Sequence, residues 1–77
     1  MATSKIHVQY RDGSPGSGIP VRLGFNHLFS GGVTDVVYTD RSGTAIIHHS
    51  VTGRATIFVN GKDRGTFSSP GEDWITI

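Results

Sequence analysis

The chain reads as an all-β domain, a seven-stranded, antiparallel-dominated β-sandwich, and three observations predict it. Short segments alternate apolar and polar side chains with a period of two, the spacing of a half-buried strand. Turn-forming stretches rich in glycine separate those segments, and the chain has eleven glycines and three prolines. No segment of ten residues repeats its apolar positions at helical spacing, whereas Val, Ile and Thr, which suit a pleated surface, are abundant.

The first strand is KIHVQY, with Ile6, Val8 and Tyr10 on one face and His7 and Gln9 on the other. RDGSPGSGIP is a loop dominated by Gly, Ser and Pro. VRLGF alternates again and places Val21, Leu23 and Phe25 together. NHLFSGG is a second loop, whose Leu28 and Phe29 are expected to cap one end of the core. The remaining strands are predicted at Val33 to Thr39, Thr44 to Ser50, Arg54 to Val59, Gly65 to Ser68 and Asp73 to Ile77. All belong to a single domain over residues 1–77, a length that buries only about 60 to 65% of the unfolded surface.

The turns suggest a register. In TDRSGT, Asp40 can accept a backbone N–H two residues on, and Gly43 can take the left-handed conformation. With residues 40–43 as one loop and VTG as the next, three strands form a meander. Its inner rows are Val36–Ile47–Ile57 and Tyr38–Ala45–Val59; its outer rows are Val37–Ile46–Phe58 and Asp35–His48–Thr56. The NG dipeptide favours a two-residue hairpin, but that register sets Arg64 opposite Ile57 in the core. An unpaired buried charge costs several kcal/mol, so a three-residue loop, Asn60 to Lys62, is expected instead. That loop puts Phe67 inside opposite Ala55 and Arg64 outside beside Phe58.

Composition narrows the function. The absence of cysteine excludes a disulfide framework, a thiolate metal site and a cysteine nucleophile. A net charge of +1 gives no electrostatic case for nucleic acid or an anionic membrane as partner. MATSKIHVQY lacks the apolar run of a signal peptide, and no later segment is long and apolar enough for a spanning helix; a cytoplasmic protein, or a domain of a larger one, is the expectation.

DGSPGSGIPVRL, YTDRSGTAII and GRATIFVNG together resemble the transthyretin-like, or carboxypeptidase-regulatory-like, β-sandwich family, with similarity also to bacterial immunoglobulin-like modules. The resemblance covers residues 6 to 61 and rests on turn and core positions, which specify fold rather than function. Ala55 stands where that family usually has a large aromatic, and HHSVTG replaces its proline-rich approach. The resemblance implies an accessory, adhesive or structural module. The urate-pathway hydrolases of this group carry a C-terminal Tyr-Arg-Gly-Ser motif, and EDWITI does not match it.

No residue set forms a catalytic signature. His48 and His49 are adjacent on a strand, so their rings face opposite ways, and His7 could meet His48 only on a neighbouring strand. Surface histidines are the expectation, with no metal and no cofactor. An Asp35–His48 pair has no nucleophile beside it and reads as an exposed cross-strand ion pair. SPGSG and SGG do not lead into a helix and read as turns rather than a phosphate cradle. The expectation is a non-enzymatic interaction module. An apolar outer face formed by Val37, Ile46 and Phe58, flanked by Arg64, His48 and Asp35, serves a protein partner or a homodimer. The alternative is a carbohydrate- or small-ligand-binding domain that stacks its ligand on Tyr10, Phe29 and Trp74.

Overall fold

A computed structural model describes residues 2–25 and 32–77. The described residues are all-β and form eight strands: β1 (Ala2–Gln9), β2 (Pro20–Phe25), β3 (Gly32–Val33), β4 (Val37–Tyr38), β5 (Thr44–His49), β6 (Gly53–Val59), β7 (Lys62–Ser69) and β8 (Glu72–Thr76). They form two sheets, one of three strands in the order β5-β1-β8 and one of five in which β3 and β4 both pair with β2, followed by β6 and β7. Every ladder is antiparallel except β1 with β8. Leu28 and Phe29 lie outside the described residues.

The expected alternation puts the core where the two sheets meet. Ile6, Val8, Ala45, Ile47 and Ile75 point inward from the three-stranded sheet, and Val21, Leu23, Phe25, Ala55, Ile57 and Val59 from the five-stranded one. Polar residues share the buried phase as well, among them Ser4 and His49. Ser4 hydroxyl and His49 Nε2 are bonded at 2.8 Å, while His49 Nδ1 bonds the carbonyl of Val51 at 2.7 Å and its ring tilts against Phe25. His49 is thus a fully partnered core residue, not the surface histidine expected, because it occupies the same phase as Ala45 and Ile47.

The three-stranded meander does not form. β5 pairs with β1, opposing Ala45 to Ile6, whereas β6 pairs with β2, opposing Ile57 to Leu23. Ile47 and Ile57 are both buried, but they belong to facing sheets. The turn chemistry itself is as expected: Asp40 accepts from the amides of Ser42 and Thr44, and Gly43 has φ +83°. A turn fixes only its own backbone, and the strands leaving it splay into different sheets.

The segment expected as one strand from Val33 to Thr39 is broken. Val33 opposes Gly24 and Val37 opposes Val21, so four steps along this segment match three along β2. The amide of Thr34 donates to Leu23 O and its hydroxyl accepts from Leu23 N, which bridges the irregularity. One extra residue reverses the side-chain phase. Val37 therefore packs against the core, and Val36 and Tyr38, expected inside, are 45% and 66% exposed.

A second bulge resolves the third turn. Val59 pairs with Lys62, so Asn60 and Gly61 make the two-residue hairpin after all, with φ of 55° and 79°. The register then slips between Phe58↔Asp63 and Thr56↔Thr66, which restores the phase that sets Phe67 opposite Ala55. Arg64 stays exposed, for the reason that favoured the longer loop, through a bulge instead of that loop.

Two substitutions test this packing. Ile57→Ala should lower unfolding free energy by about 2 to 5 kcal/mol in urea titration, since Ile57 is wholly enclosed between the sheets. Gly43→Val should cost about 1 to 3 kcal/mol, because a Cβ there would sit 2.5 Å from Val8 O and resist the positive φ. A melting temperature for either variant equal to that of the wild type would contradict the arrangement.

Candidate functional site

The bulge in segment 33–37 and the division of strands between sheets redistribute the expected interface. Val37 turns inward, Ile46 lies on the outer face of the three-stranded sheet at 45% exposure, and Phe58 lies on the outer face of the other. The row Val37–Ile46–Phe58 is therefore not formed. Asp35, Val37, Ile46 and His48 instead line a cleft of about 590 Å³ between the β3–β4 segment and β5. His48 does not pair with Asp35 across a ladder; its Nδ1 meets Thr3 Oγ1 at 3.0 Å, because β5 lies beside β1.

The outer face of the five-stranded sheet carries an apolar patch that the sequence reading placed elsewhere. Tyr38 opposes Pro20, and Val36, Arg22 and Phe58 surround a shallow depression of about 240 Å³ with Pro20 and Gly61. The guanidinium of Arg22, not that of Arg64, stands over the Phe58 ring at 5.9 Å. The ring also extends across β2 above Gly24, where a Cβ would come within 2.6 Å of Phe58 Cε2. Directly paired residues then set Arg22, Phe58 and Asp63 in one line across β2, β6 and β7.

The outer face of the three-stranded sheet is built around His7. The antiparallel β1–β5 register places Thr44 opposite His7, and the parallel β1–β8 register places Trp74 on its other side. Thr44 Oγ1 meets His7 Nδ1 at 3.0 Å, Glu72 takes Nε2, and the imidazole stacks on the Trp74 indole with centroids 4.9 Å apart and planes 18° from parallel. Lys5 opposes Glu72, and Gln9 Nε2 donates to Thr76 Oγ1 at 3.3 Å. Tyr10 follows the end of β1 and is 41% exposed. Phe29 lies outside the described residues, so of the expected stacking trio the structure places Tyr10 and Trp74.

Thr44, His7 and Glu72 follow the hydroxyl–imidazole–carboxylate order of an acyl-transfer relay. Their surroundings do not suit that chemistry. The Thr44 amide, which would face a developing oxyanion, already donates to Asp40 Oδ1 at 3.0 Å, and a carboxylate there opposes negative charge. The arrangement instead holds the imidazole in a fixed plane, and with it the indole. Among the described residues, no group of three His, Asp or Glu side chains is placed to hold a metal ion. Nor is any helix long and apolar enough to cross a membrane.

Sequence reasoning missed Arg22, Glu72 and Thr44. Alternation already put Arg22 on the outward phase of VRLGF, and Glu72, Trp74 and Thr76 on one phase of EDWIT. What local pattern could not show is that His7 and Trp74, 67 positions apart in sequence, become neighbours. Comparison of the chain with protein-family models and with curated proteins finds no match.

The Asp40 turn supports the start of β5 and hence Thr44. Hydrogen bonds from the Ser42 hydroxyl and the Thr44 and Ser42 amides, with the nearby His7, hold the Asp40 carboxyl below the ordinary aspartate value of 3.8. A group whose folded pKa is depressed adds stability above its unfolded pKa, and loses it as pH falls through the folded value. The stability difference between wild type and Asp40→Asn should therefore be constant at neutral pH and shrink as pH falls below 3.8. Urea titrations at a series of acid pH values measure this; a difference that widens on acidification would contradict the assignment.

Proposed function

We propose that the domain is a non-enzymatic interaction module that docks through the outer face of the five-stranded sheet, and that its occupant is a second copy of the chain. The observation that carries this reading is the line Arg22–Phe58–Asp63, a cation, an aromatic and an anion on adjacent strands. A two-fold axis running along β6 past Phe58 would bring Phe58 against its counterpart. It would also set Arg22 of each copy over Asp63 of the other, so the face is complementary to itself. Val36, Pro20 and Tyr38 would add apolar area on the flank, where Tyr38 is the most exposed large hydrophobic side chain among the described residues. A chain this short gains from the burial, since its own core is small. The reading also agrees with the accessory role that the transthyretin-like resemblance implies.

Charge reversal tests it through recombination. Wild type should self-associate at high micromolar concentration in sedimentation or light scattering, with weakening at high salt. Arg22→Glu and Asp63→Arg should each be monomeric, because each sets like charges face to face. Their equimolar mixture should recover the dimer, since each variant then supplies what the other lacks. Thermal melts confirm that both variants are folded. A wild type that stays monomeric, or folded variants that associate as it does, would overturn the proposal.

A further inference from the structure

The His7–Trp74 face is a second built surface, separate from the proposed docking face, and its chemistry points to a different kind of ligand. Trp74 is 59% exposed, an unusual position for the largest apolar side chain in a small domain. Its indole is nonetheless held still: His7 stacks on one side, and both imidazole nitrogens are occupied, by Thr44 and by Glu72. β8 is an edge strand, so the indole face turned away from His7 looks out over the margin of the sheet. Along β8, Glu72 and Thr76 stand on the same face one alternation to either side of Trp74, about 6 to 7 Å away in each direction. Gln9 reaches Thr76 and adds an amide to that end.

We infer that this face binds a neutral pyranose oligosaccharide, with a sugar ring lying on the free face of the Trp74 indole. A pyranose has an apolar face of C–H groups rimmed by hydroxyls. The flat aromatic takes the first, and the carboxylate, amide and hydroxyl groups spaced on either side take the second. The fixed indole lowers the ordering cost of binding. A cationic ligand is the rival for an exposed tryptophan beside a carboxylate. Glu72, however, is already bonded to His7, and the cationic Lys5 is its register partner on β1. A site so balanced favours an uncharged partner with many hydroxyls. His7 acts here as a positioning residue.

Trp74 is the chain's single tryptophan, so its fluorescence reports on this site alone. Titration of the intact chain with cellohexaose or maltohexaose should shift and saturate the emission, and whichever hexaose does so identifies the preferred linkage geometry. Amide spectra should show the same ligand moving resonances of β1 and β8. Trp74→Ala, followed by those amide resonances, should weaken binding by roughly tenfold or more. His7→Ala should weaken binding while broadening the distribution of tryptophan fluorescence lifetimes, a readout that loss of a merely structural contact elsewhere would not move. Arg22→Glu, on the opposite sheet, should bind sugar as wild type does, which separates this result from the dimer experiment. If neither hexaose changes emission or amide resonances, or if tetramethylammonium saturates the site and the sugars do not, the inference is overturned.

Discussion

Two sheets of so few strands can share one dry core only if every strand sends a single alternate set of side chains inward, and this phase constraint governs the rest of the domain. Where the chain's own spacing would break it, the backbone yields. The extra residue bridged by Thr34 turns Val37 inward and releases Val36 and Tyr38 to the surface. The slip opposite Ile57 keeps Arg64 outside while Phe67 packs against the core. Each bulge gives up part of a ladder, at a cost well below that of a buried guanidinium or an empty core position.

The same constraint admits polar residues in the inward phase when they answer each other. Ser4 and His49 sit where Ile or Val would serve, and each bonds the other, so neither carries an unmet donor or acceptor. His49 then reaches past the strand end to Val51 O, and Ser4 Oγ accepts from the Gly71 amide. The pair thus connects the end of β5 to the β7–β8 turn.

What could be read from the sequence follows from this. Alternation in KIHVQY, VRLGF and GRATIFV identified Ile6, Val8, Val21, Leu23, Ala55, Ile57 and Val59 as inward, since phase within a strand is a local property. The Asp40–Gly43 turn was equally legible, because its bonds run between residues at most four apart. Sheet membership was not. An inward isoleucine contributes to the core whether its apolar neighbour lies beside it or faces it, so Ile47 and Ile57 were identified as core while their sheets were not. The bulges were also hidden, since one inserted residue has no compositional mark. The bulge at Thr34 turned Val37 inward and brought Val36 and Tyr38 to the face of Phe58, while the division of strands between sheets set Ile46 apart from Phe58.

The two outer faces owe their different characters to how their registers are set. On the five-stranded sheet, the β6–β7 hairpin fixes its register through a local turn, and Phe58 with Asp63 follows from Asn60–Gly61. On the three-stranded sheet, β1 receives β5 and β8 from distant parts of the chain, the second in parallel. A parallel partner runs its alternation in the same direction, so Lys5, His7 and Gln9 meet Glu72, Trp74 and Thr76 in order. This gives matched rows of oppositely charged register partners, a stacked aromatic pair and a hydrogen-bonded polar pair. Such rows specify the register at a sheet edge that has no turn to set it, because a shift of two residues would set Lys5 against Trp74 and His7 against Thr76. The interactions that lock β8 onto the sheet are therefore the ones that orient Trp74. Stability of the edge strand and presentation of the indole rest on one set of side chains, with His7 at its centre.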